Sequence, residues 1–368
     1  MTPPLLRNKF RQLRVALVRI PINLKKNRWW IVLGWRVFYY SKPASQKWAR
    51  ANLVHNEISF SQEPRVFISL RATLRRSELT KLSNQAVFIP HLGRFGNAIR
   101  EVVPAIGVAE AIGIGHVFLE GDNVFGAQSD APHPGIHTSP RGLKVWIDTP
   151  LRAGKSGFHV LVSWSRGHVS INGAVAENAW ESARGALGLD FLDAPFSSGT
   201  LVIHLRGGDV FSDRDVPNYG QPPLAFYRKI LDSAPWESLV IVHQDLRNPV
   251  LSELTSFCET QNILCETHSG SLVDDLRVLL RARNFVAGRG TFSPAVAGLS
   301  QHLTRVYFFE DKFTMSPPRL ALELCRVVDT KGIYRETVLE GKWKNSAEQL
   351  DLMVTYPSEN LDIQGAQP

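Results

Sequence analysis

The stretch VIHLRGGDVFSDRDVPNYG, residues 202–220, holds the densest set of residues able to do chemistry in this chain. His204, Arg206 and Asp209 follow an apolar run and surround Gly207 and Gly208. An arginine at the end of a strand can hold phosphate oxygens in a bidentate fork and take up the charge that grows as a phosphate leaves. Asp209 could orient that arginine, or accept a proton from an attacking hydroxyl if its pKa were raised. Gly207 and Gly208 allow a sharp turn and leave space beside it. Asp213 and Asp215 suggest another chemistry, a carboxylate pair for a divalent cation. Hard cations want oxygen ligands free of a competing charge, and Arg214 between the two aspartates argues against that use. Glu120 and Asp122 form a second acidic pair, read more simply as a solvated turn.

Two further segments belong with the first. Gly93-Arg94-Phe95-Gly96-Asn97 follows an apolar run, and its glycines permit close backbone approach ahead of a helix whose free N–H groups attract an anion. A plain turn capped by Asn97 explains the same residues. It is not the GxGxxG pattern of dinucleotide sites. Gly288-Arg-Gly-Thr-Phe-Ser-Pro294 predicts a helix with Ser293 as N-cap and Pro294 at its first position, with Thr291 and Ser293 hydroxyls beside a phosphate-binding terminus. Upstream, Asp274 and Asp275 either cap an amphipathic helix or send one carboxylate to a nucleobase edge.

These segments need strands and helices to hold them. QAVFIPHL, HVFLEG, LKVWID and FHVLVSW read as strands in the first half. AIREVVPAIGVAEAIG reads as a helix interrupted by Pro104, and AVAENAWESARGALGL as a second helix. The stretch from Asp122 to Gly142 is rich in turn formers and reads as a loop. In the second half, TLVIHL, SLVIVHQ, NILCET, NFVAG and TRVYFF alternate with PLAFYRKILDS, PVLSELTSFCETQ, SLVDDLRVLLRAR and SPAVAGLSQHL. Strands alternating with helices predict a parallel, doubly wound sheet, whose ligands bind outside the carboxyl ends of the strands. The expected fold is therefore α/β, with two Rossmann-like domains over residues 57–195 and 196–325 and a peripheral extension over 326–368.

Charge is unevenly distributed. Residues 1–56 hold twelve Lys/Arg and no Asp/Glu, whereas the rest holds 30 bases against 34 acids. The body is thus slightly acidic, which excludes it as a specific nucleic-acid binder. Leu6, Phe10, Leu13, Leu17 and Ile20 share one helical face up to Pro21, and an aromatic-rich run follows from Trp29 to Tyr40. That run falls short of the about 18–20 apolar residues a spanning helix needs. A basic helical extension of this kind is expected to lie on an anionic membrane surface, placing the protein in the cytoplasm at the membrane periphery. Cys258, Cys265 and Cys325 are an odd set without CxxC spacing, which fits a reducing compartment and excludes a disulfide framework.

Taken in order, GRFGN, HLRGGD and DDLRVLLRARNFVAGRGTFS resemble the GDP-fucose-dependent fucosyltransferase superfamily, which includes the α1,2-, α1,6- and protein O-fucosyltransferases. The resemblance covers roughly residues 85–310. It implies a B-type glycosyltransferase fold and metal-independent transfer with inversion at the anomeric carbon, with no cofactor beyond the nucleotide-sugar donor, GDP-fucose. It further implies that Arg206 holds the donor diphosphate, with His204 shaping that site and Asp209 beside them. Gly96 and Asn97 would line the donor cleft, Asp275 would meet the guanine ring, and Thr291, Phe292 and Ser293 would bind the β-phosphate. The acceptor would be a glycan, which the basic head suggests is lipid-linked. The first motif departs from the family, reading GRFGNAIRE where members usually carry Gln after GN.

Two other classes compete. A metal-dependent A-type glycosyltransferase would rest on one of the acidic pairs. A noncatalytic scaffold or sugar-binding protein with a degenerate transferase fold would be favoured by loss of Arg206 or Asp209, and both are present. A nicotinamide enzyme lacks its glycine fingerprint.

Overall fold

The computed structural model describes residues 38–40, 58–60, 65–69, 86–90, 94–120, 136–139, 142–147, 160–163, 169–191, 193–212, 216–310 and 322–365. The basic amphipathic stretch and most of residues 1–56 lie outside these, as do Asp122, Asp213 and Asp215.

The first half contributes β1 (Phe38–Tyr40), β2 (Ile58–Phe60), β3 (Arg65–Ser69), β4 (Ala86–Pro90), α1 (Phe95–Ile112), β5 (His116–Glu120), β6 (Ile136–Thr138), β7 (Lys144–Ile147), β8 (Val160–Ser163), β9 (Val169–Ile171) and α2 (Gly173–Ala186). A seven-stranded sheet runs in the order β1-β3-β8-β4-β5-β7-β6. Its centre, β8-β4-β5-β7, is parallel, and antiparallel strands close both edges. Two expectations change here. The aromatic run of the head ends as an edge strand, Tyr39 standing opposite Ile68, so residues 38–40 belong to this sheet. The loop expected between Asp122 and Gly142 contains β6, which pairs with β7.

Helix α1 runs unbroken through Pro104. An interior proline costs about 3 kcal/mol. Ile99, Val102 and Ile106 are fully buried, each contributing about 1.5–3 kcal/mol, so burial outweighs the lost hydrogen bond. Small residues let neighbours approach: a Cβ on Gly107 would stand 2.7 Å from Ile171 and 3.1 Å from Ala179 on α2. Gly113, in the left-handed region at φ 78°, ends the helix.

The second half contributes β10 (Thr200–Leu205), α3 (Leu224–Leu231), β11 (Ser238–His243), α4 (Val250–Thr260), β12 (Leu264–His268), α5 (Leu272–Leu279), β13 (Asn284–Val286), α6 (Phe292–Leu299), β14 (Arg305–Phe309), β15 (Glu323–Asp329), α7 (Ile333–Val338), α8 (Ala347–Thr355) and β16 (Leu361–Gln364). The sheet order is β12-β11-β10-β13-β14-β15-β16. All neighbours are parallel except the last pair. The molecule is thus α/β, with two Rossmann-like sheets.

Alternation along β10 divides its side chains between two cores. Leu201, Ile203 and Leu205 face the core built with α3, α4, α7 and α8. Val202 faces the other, which includes residues of α5 and α6 and continues into α1 and α2 of the first half. His204 and Arg206 share the parity of Val202, so the pleat directs them toward the first half.

Residues 326–365 correct the expectation of a peripheral extension. Strand β15 crosses the expected boundary at 325 and pairs with β14, and β16 closes the edge. Tyr334, Trp343 and Met353 are buried in the core on the α3 side. Trp343 Nε1 donates to Val210 O at 2.8 Å and Tyr334 Oη to Gln221 O at 2.7 Å. The segment reads as peripheral because its apolar residues come singly or in twos and threes between polar stretches, such as Val327-Val328, Ile333-Tyr334 and Leu352-Met353-Val354, without the longer apolar runs of the preceding strands.

Candidate functional site

The chain leaves β10 toward β11 and β12 on one side, then returns to β13 on the other side of β10. The loops after β10 and β13 therefore diverge, and the crevice between them is the topological switch point where such sheets bind ligands. The HLRGGD segment follows β10, and the Gly288–Ser293 segment follows β13. The fold brings these two sequence-predicted groups together.

His204 lies near the end of β10, its Nδ1 2.8 Å from Ser293 Oγ and its ring 4.7 Å from that of Phe292. Burial, then the charge of Arg206, lowers its pKa to about 3, so the imidazole is neutral across physiological pH. Gly288 is required beside it, since a Cβ there would lie 2.8 Å from the His204 carbonyl and 2.9 Å from Nδ1. The expected cap changes accordingly. The N-cap of α6 is Thr291, which makes no side-chain cap bond, and Ser293 sits inside the first turn with no exposed surface. The imidazole takes the Ser293 hydroxyl that the sequence assigns to capping and to phosphate.

Arg206 has a side chain 15% exposed. Its Nη1 donates to Arg289 O at 3.4 Å, and its guanidinium packs 5.0 Å from the ring centre of Tyr219. Gly290, at φ 126°, leaves the space that Arg206 Nη1 fills. Burial pulls the guanidinium pKa down, while Asp209 and Tyr219 push it up. Gly208, at φ 73°, turns the chain into the 3-10 turn Gly208–Phe211 that carries Asp209. The space expected beside the glycines is filled: Gln244 stands against Gly208, and a Cβ on Gly207 would lie 2.7 Å from Asp245 Oδ1. Asp245 Oδ2 accepts from the Gly208 N–H at 3.0 Å.

Asp209 does not meet the condition for a base. Its Oδ2 is 2.9 Å from Arg94 Nη1 and its Oδ1 3.6 Å from Arg206 Nη2. Partial burial raises its pKa, but the hydrogen bond and charge of Arg94 and the charge of Arg206 outweigh it, and the net shift is downward. A carboxylate between two guanidiniums orients them; it is a weak proton acceptor.

The N-terminus of α1 completes the crevice. Gly96 touches the backbone of α6, where a Cβ would lie 2.6 Å from Phe292 N. Asn97 Oδ1 accepts from Thr291 Oγ1 at 3.2 Å, and the Phe95 and Phe292 rings are 5.8 Å apart. Arg94 is the N-cap of α1, and Asn97 lies inside the helix. Two helix N-termini with Arg94 and Arg206 thus converge on one place, an arrangement suited to a polyanion such as a diphosphate.

Asp275 stands apart, at the carboxyl end of β12. Its Oδ1 accepts from Gly270 N–H at 3.1 Å and lies 3.4 Å from His268 Nε2. Burial raises its pKa to about 6, against the Gly270 hydrogen bond and the His268 charge. Asp274 forms a capping box with Ser271, which leaves Asp275 as the carboxylate available to a ligand. Among the described residues no group of three or more His, Cys, Asp or Glu is gathered that could hold a metal ion. Arg94 and Tyr219 are members of the site that local sequence does not announce: Arg94 sits in a glycine-bounded turn, and Tyr219 in a polar loop after β10.

No family model and no curated protein matches this chain. Among solved structures, E. coli heptosyltransferase WaaC with ADP shares 14% identity, covering 66% of this chain and 93% of that one at a TM-score of 0.36. WaaC with ADP-2-deoxy-2-fluoro heptose gives 15%, 66%, 93% and 0.36. The glycosyl transferase family 9 structure from Veillonella parvula DSM 2008 gives 10%, 74%, 97% and 0.34. Likeness at this level transfers no residue role to this chain.

Proposed function

We propose that the protein is an inverting, metal-independent glycosyltransferase that moves a sugar, fucose from GDP-fucose, onto a glycan hydroxyl. The observation that carries this reading is the meeting of Arg206 with the N-terminus of α6 at the switch point between β10 and β13. A buried guanidinium and a helix terminus supply fixed positive charge where a nucleoside diphosphate departs, the role a metal ion fills elsewhere. In the single displacement, the acceptor hydroxyl attacks the anomeric carbon from the face opposite the leaving diphosphate. Arg206 and the first N–H groups of α6 take the developing charge. Neutral His204, fixed by Ser293, shapes the pocket without adding charge. Asp209 holds the arginines, so the proton of the acceptor leaves to another group. Asp275, half-buried with a raised pKa beside the carboxyl end of β12, is suited to the guanine ring of a nucleotide that extends from the crevice along the sheet edge.

A panel of GDP-, ADP- and UDP-sugars tests the reading, with hydrolysis as readout because it needs no acceptor. Release of GDP from GDP-fucose is the expected result; no turnover of any sugar nucleotide sinks it. The charge of residues 1–56 supports docking on the cytoplasmic face of an anionic membrane, near a lipid-linked acceptor. Since Phe38 opens a sheet strand, the informative truncation ends before it. Chain lacking residues 1–30 should no longer float with phosphatidylserine vesicles; unchanged flotation rules the docking out.

A further inference from the structure

Arg94 reaches from the N-cap of α1 to the turn after β10, and there it shares a carboxylate with Arg206. Asp209 gives Oδ2 to Arg94 at 2.9 Å and Oδ1 to Arg206 at 3.6 Å. The turn beneath it is held by Ser212 Oγ donating to Asp209 O at 2.7 Å. As a stabilising bond the contact with Arg94 contributes little, because the Arg94 side chain is 66% exposed and such pairs are screened by water. Its consequence is directional. A free carboxylate beside a guanidinium takes it in a two-bond fork. Here one oxygen is already engaged across the domain boundary, so Arg206 meets Asp209 through one long contact. The guanidinium has five N–H donors. One goes to Arg289 O and one faces Asp209, which leaves others for an anion.

We propose that Arg94 is a positioning residue for Arg206, acting through Asp209: by occupying one carboxylate oxygen it keeps Asp209 from neutralising the arginine that meets the diphosphate. This rests on the phosphate role of Arg206 proposed above. It also ties that role to the contact between the two halves, because only with α1 seated against α6 does Arg94 reach Asp209.

The test is a double-mutant cycle on hydrolysis of the sugar nucleotide the wild type turns over, with kcat, KM and Tm measured on the full chain. Arg94→Ala should lower kcat ~10-fold, as expected for a misaligned transition-state contact, with Tm unchanged. Arg94→Lys should retain most of the rate. In an Asp209→Asn background, where no carboxylate remains to fork with Arg206, Arg94→Ala should cost nothing further. The proposal is overturned if Arg94→Ala matches wild type, if it loses the same factor in the Asp209→Asn background, or if the loss follows a fall in Tm. A wild type that turns over no sugar nucleotide removes the transferase reading and this proposal with it, a different outcome from an active wild type matched by Arg94→Ala.

Discussion

Helices α1 and α6 point their N-termini at the same crevice from opposite sheets, and the residues they bring differ in kind. From the first half come Arg94, with its side chain 66% exposed, and a glycine that presses backbone to backbone. The second half contributes Ser293 with no exposed surface, the Arg206 side chain at 15%, and His204 with its pKa lowered to about 3. Desolvated groups held by neighbours from the loop after β13 and the first turn of α6 are where charge can be stabilised strongly. An exposed arginine on a helix cap can only steer. The first half therefore supplies a wall and a hand on Asp209, while the second half supplies the chemistry.

The strongest way to break this comparison is Arg206→Ala. Loss of a preorganised charge at the leaving group should cost two to three orders of magnitude in kcat, about 2.7–4 kcal/mol. Circular dichroism should be unchanged, and turnover within tenfold of wild type would move the chemistry elsewhere. Gly96→Ala addresses the wall. Its Cβ would lie 2.6 Å from Phe292 N and from the Thr291 carbonyl carbon, where backbone cannot yield locally. Stability should fall by about 1–3 kcal/mol, as overpacking does, with turnover lost as α1 and α6 are forced apart. A thermal melt matching wild type would show that the two N-termini do not touch.

The smallest effect concerns pH. His204 has its folded pKa lowered from 6.5 to about 3, so the folded state excludes a proton that the unfolded state binds. Its contribution is present above pH 6.5 and is lost progressively as pH falls from there toward 3. Between pH 8 and pH 5 the loss is about 2 kcal/mol. Asp275, raised to about 6, acts with the opposite sign: its stabilising effect appears as pH falls through that value. Comparing wild type with His204→Gln by urea titration at both pH values cancels the Asp275 contribution. The variant should lose less stability on acidification, and equal slopes would place the ring in water.

Much of the second sheet was readable because its strands are short apolar runs bounded by turn residues, as in TLVIHL and SLVIVHQ, and because helices alternate with them. The reading stopped where a local pattern had two uses. Ser293-Pro294 satisfies a cap rule, yet the hydroxyl goes to His204, 89 residues away. Asn97 satisfies the same rule, yet it lies inside α1 and receives Thr291. Pro104 predicts an interruption that burial on both sides of the helix overrides. Residues 326–365 carry apolar residues only singly or in twos and threes between polar stretches, and nothing in that spacing announces that Trp343 and Tyr334 fill a core.

By itself, the sequence determined that the chain alternates strands and helices, that His204, Arg206 and Asp209 leave the end of a strand, and that the net positive charge sits in the head, the rest being slightly acidic. Those are local properties, set by side-chain period, glycine placement and composition. Only the tertiary structure decided that β13 lies beside β10, that the glycines after β13 make room for His204 and Arg206, and that Arg94 reaches Asp209. Strand order and helix seating depend on burying two faces of each sheet at once, a condition no short stretch of residues can state alone.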